Sequence, residues 1–327
     1  MGNLRDPLPA TVDPDVSTTG PTRASGGADR LPARIEWPTI AVAVAIWSLL
    51  IGGVVTHPWL PWWATVPLLA VGSGWFASLQ HEVSHGHPTP WPTANVVIAG
   101  APIGLVYPLA RFTDLHLAHH LEPPLLTEPG IDNESRYCSP ETWGRSGRSM
   151  RLAMRAERTL IGHLTIGVTR GLLTYVAADL RAARNDRRLR VIWARHLVGV
   201  AIVVAAVWLS GLPLVQYAVG VVYGRVFFTG LRTFAEHRGV SNGTRSAVVR
   251  ARLPLRMIFL NNNLHHTHHA RPGAAWYRLP ALNDELGSDE IARQGAGLYV
   301  GGYLEIARRF AFRPFCQPIH PASAATA

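Results

Sequence analysis

No charged side chain interrupts the chain from Trp37 to Gln80. Forty-four uncharged residues supply two membrane spans of about 20 residues each. The stretch Ile40–Val55 forms one, residues His57–Pro61 break it, and Trp63–Leu79 forms the next. Trp59, Trp62 and Trp63 gather at the break, as an aromatic belt does at a membrane–water interface. A second pair of apolar runs is parted by Ser210-Gly211-Leu212-Pro213. The pattern therefore predicts an all-α integral membrane protein with four transmembrane helices, at about 37–56, 63–80, 191–210 and 213–232. A buried hairpin of a soluble protein is the competing reading, and the length without charge argues against it. Thr93–Ala110 is apolar but holds Pro102 and Pro108, so it reads as re-entrant or interfacial. Residues 157–190 mix apolar residues with Arg158, Arg170, Arg181 and Arg184, which suits interfacial helices. Residues 1–36 are rich in Pro, Gly, Ser, Thr and Asp and read as a disordered tail without a cleavable signal peptide. The membrane domain is taken as 37–280, and 281–327 as a C-terminal helix and tail.

Charge refines this picture. All 31 basic residues are Arg, so mechanisms that need a P-loop or Schiff-base lysine are excluded. The two predicted outer turns hold no Arg, whereas 111–196 holds 14 and 235–327 holds 11. Arg-rich segments stay cytoplasmic, which puts both termini and the middle segment on that side. The net charge of +10 then reports topology and contact with anionic lipid. No basic–aromatic motif for reading nucleic acid appears. The only cysteines, Cys138 and Cys316, are too few for a Cys-rich zinc site, a four-Cys iron–sulfur cluster or a disulfide framework.

Ten of the 15 histidines fall in three clusters: HEVSH at 81–85, extended by His87; HLAHH at 116–120; and HHTHH at 265–269. His237 follows the last predicted span. On a helix, positions i, i+3 and i+4 share a face. His81 with His85, His116 with His119 and His120, and His265 with His268 and His269 each converge in that way. Imidazole suits zinc, copper and iron. The predicted topology places every cluster at the cytoplasmic face, which the histidine count alone does not require.

HEVSH also matches the H-E-x-x-H motif of zinc proteases, with Glu82 as general base. One zinc takes about three protein ligands plus water, which leaves the other two clusters unused. A histidine-rich transporter is a third reading, but its ligands belong near mid-membrane. Nine convergent histidines suit two metals. The Glu-x-x-His pairs of soluble di-iron bundles are missing. A histidine-only pair of metals suits oxygen activation at iron better than hydrolysis.

With HEVSH, HLAHH, NNNLHHTHH at 261–269 and ARPGAAWYRLP at 270–280, the chain resembles the membrane fatty acid desaturase family. That superfamily also holds hydroxylases and carotenoid ketolases. The resemblance covers about Trp37 to Pro280 and implies a cytoplasmic helical cap that carries the three histidine boxes. It implies a non-haem di-iron site, O2 as co-substrate, and a lipid or fatty acyl substrate. The metal ligands it implies are His81, His85, His116, His119, His120, His237, His265, His268 and His269. An asparagine near the third box holds a metal-bound water in members of the family; Asn261, Asn262 and Asn263 are the candidates. His87 and His266 fall outside the box pattern, as outer-sphere or spectator candidates. Glu82, Asp114 and Glu236 each neighbour a ligand and are candidates to orient it. The first box has three intervening residues where many members have four. No fused cytochrome b5, rubredoxin or ferredoxin segment is visible, so electrons are expected from a separate ferredoxin-like protein docking on the Arg-rich face. Arg225 falls inside the fourth predicted span. It must face the bundle interior, as a candidate substrate contact, or reach polar groups at the interface.

Overall fold

The structure, a computed structural model, describes residues 32–121 and 125–321. The expected disordered tail thus lies, up to residue 31, outside the described residues. The chain is helical throughout, in the order α1 (Trp37–Thr56), α2 (Trp62–Ser84), α3 (Pro92–Ala99), α4 (Leu109–Leu121), α5 (Pro140–Arg145), α6 (Arg148–Ala156), α7 (Leu160–Ala182), α8 (Arg187–Ser210), α9 (Leu214–Thr233), α10 (Leu255–Ile258), α11 (His265–Ala270), α12 (Leu279–Glu285), α13 (Ser288–Arg293) and α14 (Gly302–Phe310). Two-residue strands β1 (Val248–Val249) and β2 (Leu298–Tyr299) pair in parallel.

Among the described residues, four helices are long and apolar enough to cross a membrane: α1, α7, α8 and α9. Three coincide with expected spans. The fourth, α7, lies where interfacial helices are expected. Its arginines sit where they can be satisfied: Arg170 Nη2 donates to Glu157 at 2.6 Å, and Arg181 is in the last turn. The expected span at 63–80 is α2, whose 23 residues extend about 34 Å. It is less apolar than those four, and its last turns carry Ser78, Gln80, His81 and Glu82, all buried. The reason is packing. α2 is the hub of the bundle, clasped by α1 and α9, so its polar residues face protein.

Small residues let these helices approach closely. A Cβ at Gly74 of α2 would sit 2.6 Å from Phe228 of α9, and one at Gly224 of α9 would sit 2.5 Å from Ala70 of α2. A π-turn at Ala218–Tyr223 perturbs the carbonyl ladder of α9, and the Ser73 hydroxyl of α2 donates to the carbonyl of Val221 at 2.7 Å.

The run expected to be re-entrant holds only the eight-residue α3 and an irregular segment, residues 100–108. Irregular backbone inside an apolar bundle needs internal partners for its carbonyls. Four helices supply one each. Trp47 donates to Ile98 (2.9 Å), Gln80 to Ala99 (2.7 Å), Tyr217 to Ile103 (2.6 Å) and His196 Nε2 to Leu105 (3.0 Å).

A second apolar cluster lies beyond the bundle. It joins Phe234, Val249, Phe259, Tyr299, Tyr303, Ile306 and Phe315. Residues 281–321 therefore form three helical segments and a strand folded onto 234–260, where the sequence suggests one helix and a tail. The β1–β2 pairing crosses the boundary drawn at residue 280.

Candidate metal centre

Each histidine cluster is delivered by the end of an element. α2 carries His81 in its last turn and His85 at its C-cap. α4 presents His116, His119 and His120, and α11 presents His265, His268 and His269. His237 follows α9, where its backbone bridges Ser246. Leu260 and Asn261 adopt positive φ, 47° and 56°. Such values are uncommon for non-glycine residues, and they turn the chain sharply ahead of α11.

Two groups result. His81, His85, His116 and His268 offer ligand atoms all within 4.8 Å of one another, and so do His119, His237, His265 and His269. His120 joins the first group, with Nε2 3.2 Å from that of His116 and 3.0 Å from that of His268. In the second group the Nε2 atoms are 3.0 Å apart for His119 and His237, 2.9 Å for His237 and His265, and 3.1 Å for His265 and His269. All nine histidines singled out from the sequence are thus brought together.

The opposite ring nitrogens explain why. The His116 Nδ1–H donates to Glu134 (3.2 Å) and that of His119 to Asp132 (2.8 Å). His237 donates to the Arg245 carbonyl (3.3 Å) and His265 to Asn262 Oδ1 (3.2 Å). With the proton held on Nδ1, the Nε2 lone pairs point at one another across about 3 Å. That repulsion is relieved by a cation at the centre. The donor set fits two first-row transition metals. Burial, reinforced by neighbouring imidazoles, lowers the pKa of His265, His268 and His269 well below the usual value and keeps them neutral. Burial lowers His116 to about 4. For His119 burial pulls the same way, but Glu134 and Asp132 outweigh it and hold it up to about 9, so a cation binding at its Nε2 must displace a proton.

The outer partners differ from expectation in part. Glu82 lies 3.7 Å from His81 Nδ1 and accepts the backbone N–H of Trp276 at 3.1 Å. Glu236 pairs with Arg232 at 2.9 Å and stands 3.5 Å from His265 Nδ1. Asp114 pairs with Arg188 at 2.7 Å, and among the described residues no hydrogen bond joins it to a histidine; α4 faces the site with its 116/119/120 stripe. Among the asparagines, Asn261 donates to the Trp276 carbonyl and Asn263 to that of Val249. Asn262 lies between the groups, with Nδ2 3.3 Å from His81 Nε2. His87 is held by Glu36 (3.0 Å) and His266 by Thr244 (3.1 Å), both outside the groups. Asp132 and Glu134 escaped the sequence reading. They follow the second cluster in a loop without periodicity, and only the fold returns that loop to the imidazoles.

Arg225 is 8% exposed and lies across Gly104, beside Tyr107. Among the described residues no carboxylate pairs with it.

No curated protein matches the chain. The sequence profile of the fatty acid desaturase family matches residues 57–300, which include all nine clustered histidines and the helices that deliver them. By that match the chain belongs to the fatty acid desaturase family, whose members are lipid oxidoreductases.

Proposed function

We propose that the protein is an O2-dependent di-iron desaturase that introduces a double bond into an acyl chain or similar aliphatic lipid. The observation that carries this reading is the pair of buried imidazole groups, five donors and four, with Nε2 atoms converging. Their ligands are His81, His85, His116, His120 and His268 at one iron and His119, His237, His265 and His269 at the other. When bound, the irons would activate O2 to take one hydrogen from each of two neighbouring methylenes, with one O2, two electrons and two protons consumed and two waters formed. The chain's own residues set the conditions for that chemistry. Asp132, Glu134, Asn262 and the Arg245 carbonyl orient four of the nine imidazoles, His119, His116, His265 and His237, through Nδ1. Asn262, between the groups, is the asparagine placed to hold a water there. Glu82 is bound to the Trp276 backbone, which ties α2 to the segment after the third box and suits a structural role better than that of a protease base.

The Arg-rich segments support an orientation with the histidines and both termini on the cytoplasmic side of a bacterial-type inner membrane. Electrons come from a separate ferredoxin-like donor that docks there. Arg225, an unpaired cation inside the bundle, contacts the polar head of the substrate. The test is lipid and metabolite profiling, under O2, of cells with and without the gene, together with metal analysis of the protein. A new double bond and about two irons per chain are expected; a new hydroxyl assigns the hydroxylase reaction instead. About one zinc and no lipid change refutes the proposal.

A further inference from the structure

The two histidine groups are unequal, and the shortfall falls beside a carboxylate. Glu134 uses Oε1 to accept the Nδ1–H of His116 at 3.2 Å. Its Oε2 stands 3.8 Å from His119 Nε2, the nitrogen that His119 turns toward His237. Among the described residues that oxygen accepts no hydrogen bond. Two ligands at about 2.1 Å from one metal lie about 3.0 Å apart at a right angle and about 4.2 Å apart when opposed. The observed 3.8 Å falls inside this range; Glu134 is not among the four residues whose ligand atoms lie within 4.8 Å of one another, and its side chain, 33% exposed, has room to close on the metal.

The loop is built to keep Glu134 there. Asp132 Oδ2 accepts the backbone N–H of Thr127 at 2.7 Å, and Oδ1 accepts that of Glu134 at 2.9 Å while also receiving His119 Nδ1–H. One aspartate thus fixes both the imidazole and the backbone of the glutamate next to it. Charge argues the same way. Once metal has displaced the His119 proton, four imidazoles leave a divalent ion's charge unbalanced in a half-buried site, and a carboxylate in contact offsets part of it.

We propose that Glu134 is a direct ligand of the metal held by His119, His237, His265 and His269. The assignment rests on the two-metal reading above. The centre is then asymmetric: five imidazoles at one metal, four imidazoles and a carboxylate at the other. The anionic ligand favours the more highly charged state of its own metal, so the two ions differ in redox behaviour.

The competing role for Glu134 is to orient His116, which serves the other metal. The experiment separates the two by site. Purified full-length protein in detergent is stripped of metal and titrated anaerobically with Co2+, following visible absorbance and bound stoichiometry. Wild type is expected to bind two ions and His119→Ala one. Glu134→Ala and Glu134→Gln are expected to keep one tight ion and to weaken the other by more than the about 10–100-fold that loss of an outer partner costs, with changed absorbance. Gln preserves shape and an acceptor for His116, so it guards against a folding defect, which a thermal melt checks. The double variant His119→Ala/Glu134→Ala is expected to retain the single tight ion of His119→Ala, since both changes strike one site. Loss of that remaining ion assigns Glu134 to His116 and overturns the proposal, as do unchanged affinities and spectrum in both Glu134 variants. Wild type binding fewer than two ions overturns the two-metal reading, and this assignment with it.

Discussion

Replacing Gly74 by alanine tests whether the α2–α9 crossing sets the geometry of the metal centre. The added Cβ would meet Cβ, Cγ and Cδ2 of Phe228 at 2.6 Å, against about 3.5–4.0 Å for an ordinary carbon contact. Turning the phenyl ring cannot relieve this, because the Cβ of Phe228 is itself one of the three atoms. The helices must part by about 1 Å, and such overpacking costs about 1–3 kcal/mol. His81 lies seven residues past Gly74, about 10.5 Å along α2, while α9 leads into His237. Metal–ligand distances tolerate only about 0.2 Å, so part of the displacement reaches the centre. The assay is equilibrium unfolding in mixed micelles with metal content measured in parallel, on wild type, Gly74→Ala, Phe228→Gly and the double variant. Glycine removes the clashing Cβ, so Gly74→Ala should cost little in that background, giving a coupling of about 1–3 kcal/mol. Equal costs in both backgrounds, within about 0.5 kcal/mol, would refute the crossing as the constraint.

Asp132→Asn should weaken metal binding about 10–100-fold, equivalent to about 1.4–2.7 kcal/mol, measured by chelator competition; unchanged affinity would remove Asp132 from the support of His119. Alanine at His119, His120, His268 or His269 should lower bound iron and abolish product, while His87→Ala and His266→Ala stay milder; near-normal turnover in any two of the first four would sink the di-iron reading. Glu82→Gln should retain iron and measurable lipid oxidation, since its carboxylate holds Trp276; complete loss of activity with iron unchanged would favour a protease-like base. Arg225→Leu should raise KM or change substrate range at normal expression, and unaltered kinetics would eliminate its contact with substrate.

Sequence by itself was enough for what depends on local pattern. Unbroken apolar runs placed α1, α8 and α9, because burying backbone in lipid demands long uncharged helices. The i, i+3, i+4 spacing picked out eight of the nine imidazoles that converge, because a helix puts those positions on one face; His237 came from its place after the last span. Proline kept Thr93–Ala110 from reading as a span. Only the tertiary structure decided the rest. α7 is long and apolar enough to span where the sequence reads as interfacial, and the polar last turns of α2 are accepted because they face protein, which composition cannot tell from lipid. His116 and His119 point to different groups although they share one helix stripe, since partners from α2, α9 and α11 divide them. Asp114, adjacent in sequence to the second cluster, is drawn off by Arg188, while Asp132 and Glu134 arrive from a loop with no pattern of its own. Carboxylates act through distances of a few ångströms, and chain closure, not spacing along the sequence, sets those distances.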